Sequence, residues 1–207
     1  MEQEIIPIIT YVILGITLLT SYRAFEDTQL KQNLLFNAYA IKHRNEIYRF
    51  FSHSLIHADW MHLLLNLFVL FRFGEIVEIK FILEYGFFKG IVNYILLYVG
   101  AIIVSSSYSY IKHQDNKYYN ALGASGATSA VLYSFIMMYP NQEIYLFFIN
   151  ITGWHFGLGY LLYSHYMAKK GADNIGHDAH IGGALFGIII TIFFNTDYFF
   201  IFFEKVF

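Results

Sequence analysis

The chain has 207 residues, of which 57% are hydrophobic, 20% are aromatic and only 14% are charged. A soluble domain carries about 25% charged residues, and here the charges lie in clusters between long apolar stretches, so we expect a membrane-embedded protein. The net charge of −2 argues against a nucleic-acid-binding protein, and the absence of cysteine excludes disulfides, thiolate metal sites and a cysteine nucleophile.

Six segments predict membrane-spanning helices, each of which needs about 20 mainly apolar residues. In chain order they cover about residues 5–22, 60–73, 90–110, 123–139, 144–166 and 179–194, and an aromatic run at 198–203 extends the last helix or lies at the membrane interface. The first segment lacks the basic start and cleavage site of a signal peptide, so we interpret it as a retained helix. The predicted fold is one all-α membrane domain over residues 1–207, a bundle of six transmembrane helices.

A long loop, about residues 23–57, separates the first two predicted helices. Leu30, Leu34, Ala38 and Ile41 recur there at helical spacing, which predicts an amphipathic segment resting at the membrane interface. A solvated loop helix explains the same spacing. If the termini are cytoplasmic, the outward loops hold more lysine and arginine than the inward ones, so the positive-inside rule favours the opposite orientation.

Three histidines precede an asparagine around the start of the second predicted helix. His53, His57 and His62 lie ahead of Asn66, and His62 and Asn66 share a helix face because they are four residues apart. Polar groups in a membrane segment are costly and usually face a polar cavity. Hydrogen bonding between helices, without catalysis, accounts for the same residues.

The fourth predicted helix opens with a run of small residues, Gly123 to Ala127, around Ser125. Small residues let helices approach closely, and tight packing alone explains the run. Because Ser125 falls in the predicted first turn, the backbone N–H groups and the helix dipole there would stabilise an oxyanion formed beside it.

The sixth predicted helix carries a histidine above a glycine face. Gly183 and Gly187 have the GxxxG spacing of a tightly packed helix pair, and His180 lies one turn before Gly183. If the partner is the fourth helix, His180 reaches Ser125 and can take the proton of its hydroxyl. Asp178 lies on another face, and we interpret it as the N-cap of this helix.

Together, and in this order, these motifs resemble the rhomboid family of intramembrane serine proteases. Residues 123–126 match the family's Gly-x-Ser-Gly motif, residues 179–187 its Ala-His-x-x-Gly-x-x-x-Gly motif and residues 62–66 its His-x-x-x-Asn pair. Each motif is weak alone, but their joint occurrence between about residues 48 and 187 is specific. The resemblance implies that Ser125 is the nucleophile, that His180 is its base, and that the Ser125 backbone N–H forms an oxyanion hole with His62 and Asn66.

The resemblance also implies a set of structural positions. They are the motif glycines, the two upstream histidines, a loop arginine and an acidic residue: Gly123, Gly126, Gly183, Gly187, His53, His57, Arg49 and Glu78. Two positions depart from the family pattern. Tyr48 precedes Arg49 where the family often has tryptophan, and Ser129 stands where many bacterial members have a tyrosine that packs on the catalytic histidine. The group that orients His180 is therefore open.

What the resemblance implies for function is an endopeptidase that cuts transmembrane protein substrates within the lipid bilayer, with no cofactor, metal or nucleic acid. It further implies cytoplasmic termini and an active site open to the outer face, contrary to the lysine and arginine distribution, and we expect a bacterial inner membrane. A wet cavity lined by His53, His57, His62, Asn66 and Asp178 would supply the water.

Other functions are compatible with parts of the sequence. A catalytically inactive rhomboid-like protein would bind membrane segments with the same fold, although such proteins normally lack the serine or the histidine. A transporter or metal-binding protein could use His53 and His57 as ligands at i, i+4 spacing, but no HExxH motif accompanies them. An aspartyl protease would need a partner for Asp178 on another span. The sequence names neither the substrate nor the oligomeric state.

Overall fold

The computed structural model describes residues 5–146, 149–170 and 176–207, which are mainly helical. In chain order the helices are α1 (Ile8–Glu26), α2 (Thr28–Leu34), α3 (Ala38–Arg44), α4 (Arg49–Ser52), α5 (Trp60–Val69), α6 (Glu75–Tyr85), α7 (Phe87–His113), α8 (Ser125–Met138), α9 (Gly153–Lys170), α10 (His177–Phe194) and α11 (Asp197–Val206). A short antiparallel hairpin of β1 (Glu143–Leu146) and β2 (Ile149–Thr152) precedes α9.

The described helices include four that are long and apolar enough to cross a membrane: α1, the continuous segment Trp60–Tyr85, α7 and α10. Helices α8 and α9 occupy the two remaining predicted positions. The predicted all-α membrane bundle is confirmed, and the chain is a multi-pass membrane protein.

Two predicted spans had wrong boundaries. The second does not end at Phe73, because a π-helical turn, Leu70–Gly74, joins α5 to α6 and the helix continues to Tyr85. The fifth does not begin at Ile144, because Glu143–Leu146 and Ile149–Thr152 form the paired strands β1 and β2, and α9 starts only at Gly153. A short apolar run fits a strand and a buried helix equally well, which explains the second error.

The long first loop folds into short helices and not into one amphipathic helix. Helices α2 and α3 are separated where Phe36 pairs with Ala121 in an isolated antiparallel bridge. Asn37 then caps α3 by accepting a hydrogen bond from the Ala40 N–H at 2.8 Å. Since Phe36 is buried, tertiary contact breaks the helical periodicity that the sequence suggested.

Helix α8 lies at the centre of the bundle. Every residue from Gly126 to Met138 is buried, as expected for a helix that is apolar all round. It packs against α7, α10 and α11. Its 14 residues are fewer than the roughly 20 needed to cross the hydrocarbon core, so at least one of its ends lies below the membrane surface.

Glu78 explains how a carboxylate is tolerated inside the second span. It is fully buried and accepts hydrogen bonds from the Ile9 N–H at 2.9 Å, the Thr10 N–H at 2.7 Å and the Thr10 hydroxyl at 2.7 Å. These N–H groups belong to the first turn of α1, where they have no partner within the helix and where negative charge is favourable. Glu78 therefore joins α6 to the start of α1.

Candidate active site

Helices α8 and α10 meet backbone to backbone in their N-terminal halves. A Cβ added to Gly183 would lie 1.9 Å from the Gly126 carbonyl oxygen, and one added to Gly187 would lie 2.3 Å from the Ala130 carbonyl oxygen. Only hydrogen fits at these two positions, so the GxxxG face of α10 packs directly on α8. Ser125 precedes Gly126, and His180 lies one turn before Gly183, so both flank this contact.

The turn that leads into α8 is held by residues of the first loop. Gly123 has a φ of +114°, and a Cβ there would lie 2.7 Å from Cε1 of His62. Its N–H donates to the His53 carbonyl at 2.9 Å, and the next N–H, of Ala124, donates to Nε2 of His57 at 3.3 Å. The glycine motif therefore fits a tight turn against three histidines and leaves Ser125 half-buried at the helix start.

His53 and His57 are engaged with protein partners. Nε2 of His53 lies 3.0 Å from Oγ of Ser106, and Nδ1 of His57 lies 2.9 Å from Oγ of Ser21. Burial lowers the pKa of His53 to about 4 and, with the neighbouring His62, that of His57 to about 3. The expectation that they line a wet cavity is wrong, since both are buried and bonded, and no group of three potential metal ligands occurs among the described residues.

His62 and Asn66 lie on the face of α5 directed at α8. Asp59 caps α5 by accepting from the His62 N–H at 2.8 Å, which fixes the helix start. Nδ2 of Asn66 donates to the His62 carbonyl at 2.8 Å, and Oδ1 accepts from the Thr128 hydroxyl at 3.0 Å. Because an amide nitrogen carries two hydrogens, Asn66 retains one for a bound oxygen.

The His180 ring lies between aromatic neighbours. The ring of Tyr160 on α9 stacks on it with centroids 5.8 Å apart and planes 23° apart, and the His177 ring meets it edge-on at 5.6 Å. The Tyr160 hydroxyl lies 3.3 Å from Oγ of Ser129, the position of the family's usual aromatic residue. An aromatic neighbour of His180 is thus present, but it comes from a different helix.

Arg49 stabilises the first loop, and its hydrogen bonds go to residues of that loop and not to Ser125. Its Nη1 donates to the carbonyls of Gln32 at 3.1 Å and Leu35 at 2.8 Å, and its Nε pairs with Glu46. The guanidinium also lies over the Tyr48 ring, 5.3 Å from its centroid. These contacts give the Tyr48-Arg49 pair a structural role.

A polar cavity of about 270 Å³ lies where α7 ends and α10 begins, lined by groups that include Lys112, His113, His177 and Asp178. It could admit water to the first turn of α10. Asp178 lies in that turn and is not the N-cap, because α10 starts at His177 after Gly176, which makes no side-chain cap. Of the expected wet-cavity residues, Asp178 alone lines this cavity.

Sequence reasoning missed three residues of this region: Tyr160, Thr128 and Asp59. Asp59 had a recognisable signal, since an aspartate immediately before an apolar run is a typical N-cap. Thr128 lies one turn after Ser125 and could have been placed beside Asn66 only if the α5–α8 pairing were known. Tyr160 had no signal, because nothing in its spacing indicates that α9 approaches His180.

Comparison with known proteins gives consistent matches. The family model described as Rhomboid domain matches residues 44–196. The chain is 29% identical over 154 residues to rhomboid protease GlpG of Haemophilus influenzae, covering 70% of this chain and 68% of that protein. It is 30% identical over 139 residues to the mitochondrial presenilin-associated rhomboid-like protein of Rattus norvegicus, covering 64% and 34%.

The plant relative extends further along the chain. RHOMBOID-like protein 12, mitochondrial, of Arabidopsis thaliana is 24% identical over 173 residues, covering 79% of this chain. The match spans about half of that protein, 51%, and about a third of the rat protein, 34%.

Proposed function

The chain belongs to the rhomboid family, and on that premise we propose that it is an intramembrane serine endopeptidase with a Ser125–His180 dyad. The observation that carries the proposal is the backbone contact of α8 and α10, in which Gly183 has no room for a Cβ beside Gly126. A serine and a histidine that flank such a contact lie on adjacent helices, and this placement supports a pair in which the histidine serves as the base of the serine.

The proposed reaction is acyl transfer to Ser125 followed by hydrolysis. Oγ of Ser125 attacks the scissile carbonyl while His180 accepts its proton, and His180 then gives that proton to the leaving amine. A water molecule next attacks the acyl ester, loses a proton to His180 and releases the carboxylate product. His180 returns the proton to Oγ, which regenerates the enzyme.

The oxyanion of each tetrahedral intermediate needs donors near the start of α8. The Ser125 backbone N–H is one, since the first N–H groups of a helix have no partner within it. The remaining hydrogen of the Asn66 amide and the ring of His62, which lies against Gly123, are the other two. Donors fixed before the reaction cost no reorganisation when the charge develops.

We propose transmembrane proteins as the substrates, cut in the lipid bilayer where the substrate helix can unwind. We also propose the bacterial inner membrane as the location, in keeping with the GlpG match, while two of the relatives carry the word mitochondrial in their names. Fractionation of the tagged chain from its source cell tests the location.

A fluorophosphonate probe tests the dyad directly, because an activated serine attacks its phosphorus, displaces fluoride and becomes phosphonylated. We expect the wild-type protein in detergent to be labelled, and Ser125→Ala and His180→Ala to lose labelling while keeping the wild-type melting temperature. Ser105→Ala is a matched control, since it removes a hydroxyl beside Gly126 that the mechanism does not use.

Each outcome decides between two functions. Labelling lost in both dyad variants supports the protease. A well-folded wild-type protein that stays unlabelled, and that leaves a panel of transmembrane substrates intact, would contradict it and favour a rhomboid-like protein that only binds membrane segments.

A further inference from the structure

We propose that Tyr160 of α9 is the positioning residue that holds the His180 ring in its productive orientation. The inference rests on the proposed function, since it concerns the base of that dyad. It assigns a role to a helix that contributes none of the other proposed reacting groups.

The ring contacts carry the proposal. Tyr160 stacks on one side of His180 at 5.8 Å and 23°, while His177 meets the same imidazole edge-on at 80°. Aromatic rings prefer offset-stacked and edge-to-face arrangements at such separations, and such pairs add to the stabilisation that burial gives. Two such neighbours restrict rotation of the His180 side chain.

Tyr160 is itself held in place by three other side chains. Its hydroxyl lies 3.3 Å from Oγ of Ser129. Its ring stacks on the Phe156 ring with centroids 6.1 Å apart and planes 17° apart, and the centroid of the Tyr133 ring lies 6.4 Å from its own. Ser129 is buried and small, so it leaves space for the Tyr160 ring between α8 and α10. The serine at this position and the tyrosine on α9 are therefore complementary.

The location of Tyr160 has a mechanistic consequence. Ser125 and His180 lie on helices that are joined through glycines, whereas Tyr160 belongs to a third helix, which approaches α8 at Gly157. Its loss should leave the α8–α10 contact intact but let the imidazole rotate. We therefore expect kcat to fall with little change in KM.

Two variants of Tyr160 distinguish the contribution of its ring from that of its hydroxyl. Tyr160→Phe keeps the ring, and we expect its fluorophosphonate labelling rate to stay within about threefold of wild type. Tyr160→Leu removes the ring, and we expect a loss of about 10–100-fold, because a small misplacement of a catalytic group costs about that much. Tyr166→Leu, an exposed tyrosine of the same helix, is the matched control.

Moving the ring gives a rescue test. In the double variant Ser129→Tyr/Tyr160→Ala, the new side chain starts from α8 beside the space that Tyr160 vacates. We expect it to recover at least a third of the wild-type labelling rate, whereas Tyr160→Ala alone stays as slow as Tyr160→Leu.

NMR of the histidine rings detects the Tyr160–His180 stacking itself. If Tyr160 served only the stability of the fold, its replacement would not change the chemical shift of His180. With ¹³C-labelled histidine in micelles, the His180 signal is assigned by its absence in His180→Ala. We expect the stacked Tyr160 ring to shift this signal, the shift to persist in Tyr160→Phe, and the shift to disappear in Tyr160→Leu.

The outcomes keep the two proposals distinct. A labelled wild-type protein whose Tyr160→Leu variant reacts at the Tyr160→Phe rate and keeps the His180 signal in place overturns the positioning role while the dyad stands. An unlabelled wild-type protein refutes the dyad itself. If Tyr160→Leu lowers the melting temperature, the double variant decides, because a folded and stable double variant without recovered labelling overturns the proposal.

Discussion

At the scale of single residues, Asn66 is the polar group most directly tied to both α5 and α8. Asn66→Ala removes the remaining amide hydrogen proposed for the oxyanion and leaves the Thr128 hydroxyl without this acceptor. We expect kcat to fall by about 10²–10³-fold, the usual cost of one oxyanion donor. Cleavage of a purified transmembrane substrate measures it, with Ser125→Ala as the inactive reference.

Thr128→Val tests which of two contributions of Asn66 matters more. One is the hydrogen bond that its amide is proposed to donate to the oxyanion, and the other is the link that it makes between α5 and α8. The valine keeps the shape of the side chain but no longer donates to Oδ1 of Asn66. We expect a loss of about tenfold or less, smaller than that of Asn66→Ala. Equal losses in the two variants would mean that the amide acts mainly as a link between α5 and α8.

The buried histidines of the first loop predict an acid-sensitive fold. The folded-state pKa values of His53 and His57 lie at about 4 and about 3, below the ordinary value of 6.5, because burial disfavours the charged form. Between pH 6.5 and about 4 the unfolded chain therefore binds more protons than the folded one, so stability falls as pH falls. We expect the melting temperature to be level above pH 7 and to drop by about 5–10 °C by pH 5.

The slope of the melting temperature against pH, and not the melting temperature at any one pH, shows whether His53 and His57 cause the pH dependence. The double variant His53→Gln/His57→Gln loses the bonds to Ser106 and Ser21 and should melt at a lower temperature throughout, yet with a flatter pH dependence. His165→Gln, which changes an exposed histidine, should keep the wild-type slope. An unchanged slope in the double variant would contradict the assignment.

Single residues also show how far sequence alone reaches. Helical periodicity places His62 with Asn66 and His180 with Gly183 on shared faces, but the roles of Ser125, His180, His62 and Asn66 were proposed from the family resemblance of their motifs. Tyr160 could not be proposed, since its role depends on a contact between two helices whose relative placement no local pattern encodes. The question raised by Ser129 was visible in the sequence, but its answer lies on another helix.

At the scale of elements, the contact between α8 and α10 predicts that one methyl group added at Gly183 strongly lowers activity and stability. In Gly183→Ala the new Cβ would lie 1.9 Å from the Gly126 carbonyl oxygen and 3.0 Å from its Cα, so the helices must separate. A shift of about an ångström at a catalytic site costs about 10²-fold in rate. We expect fluorophosphonate labelling to fall by that amount and the melting temperature to fall with it.

Neighbouring glycines provide graded controls for this prediction. Gly182→Ala places its Cβ 3.3 Å from Cα of Ser105, which requires a shift of only a few tenths of an ångström, and Gly15→Ala on α1 meets nothing within 4 Å. We expect labelling to decrease in the order Gly15→Ala, Gly182→Ala, Gly183→Ala. A Gly183→Ala protein as active as Gly15→Ala would show that the close approach is not required.

The elements that sequence analysis misjudged have physical explanations. The second span was predicted to end at Phe73, but Glu78 finds partners in the first turn of α1 and the helix continues to Tyr85. Residues 143–152 are apolar enough for a helix, and hairpin formation depends on pairing that hydropathy does not reveal. By contrast, α7, α8 and α10 lie close to their predicted ranges, because long apolar stretches have few alternatives in a membrane.

At the scale of the whole molecule, the fold divides the loops between two faces. The first loop and the segment after α7 share one face, joined by the Phe36–Ala121 bridge. The turn after α8 and helix α11 share the other, where Nδ2 of Asn141 donates to the Lys205 carbonyl at 2.9 Å. The candidate active site, at the starts of α8 and α10, lies toward the first of these faces.

Because the loops fall on two faces, the orientation of the protein in the membrane can be measured by asking which face is cytoplasmic. The lysine and arginine distribution favours a cytoplasmic first face, whereas the family resemblance favours an outer one. Part of the positive charge on the first face is engaged in the fold, since Arg49 pairs with Glu46 and Lys42 with Asp115 at 2.9 Å. Long loops and domains translocate largely regardless of their charge, so the lysines and arginines of this long, folded loop are a weaker topology signal than those of a short loop.

We therefore expect the first face to be extracytoplasmic. The chain contains no cysteine, so single cysteines introduced at Lys117 on the first face and Lys205 on the second can be labelled without background. In intact cells a membrane-impermeant maleimide should label Lys117→Cys and spare Lys205→Cys until the membrane is opened. The reverse pattern would place the candidate site on the cytoplasmic side, because the charge distribution would then have set the orientation despite the ion pairs.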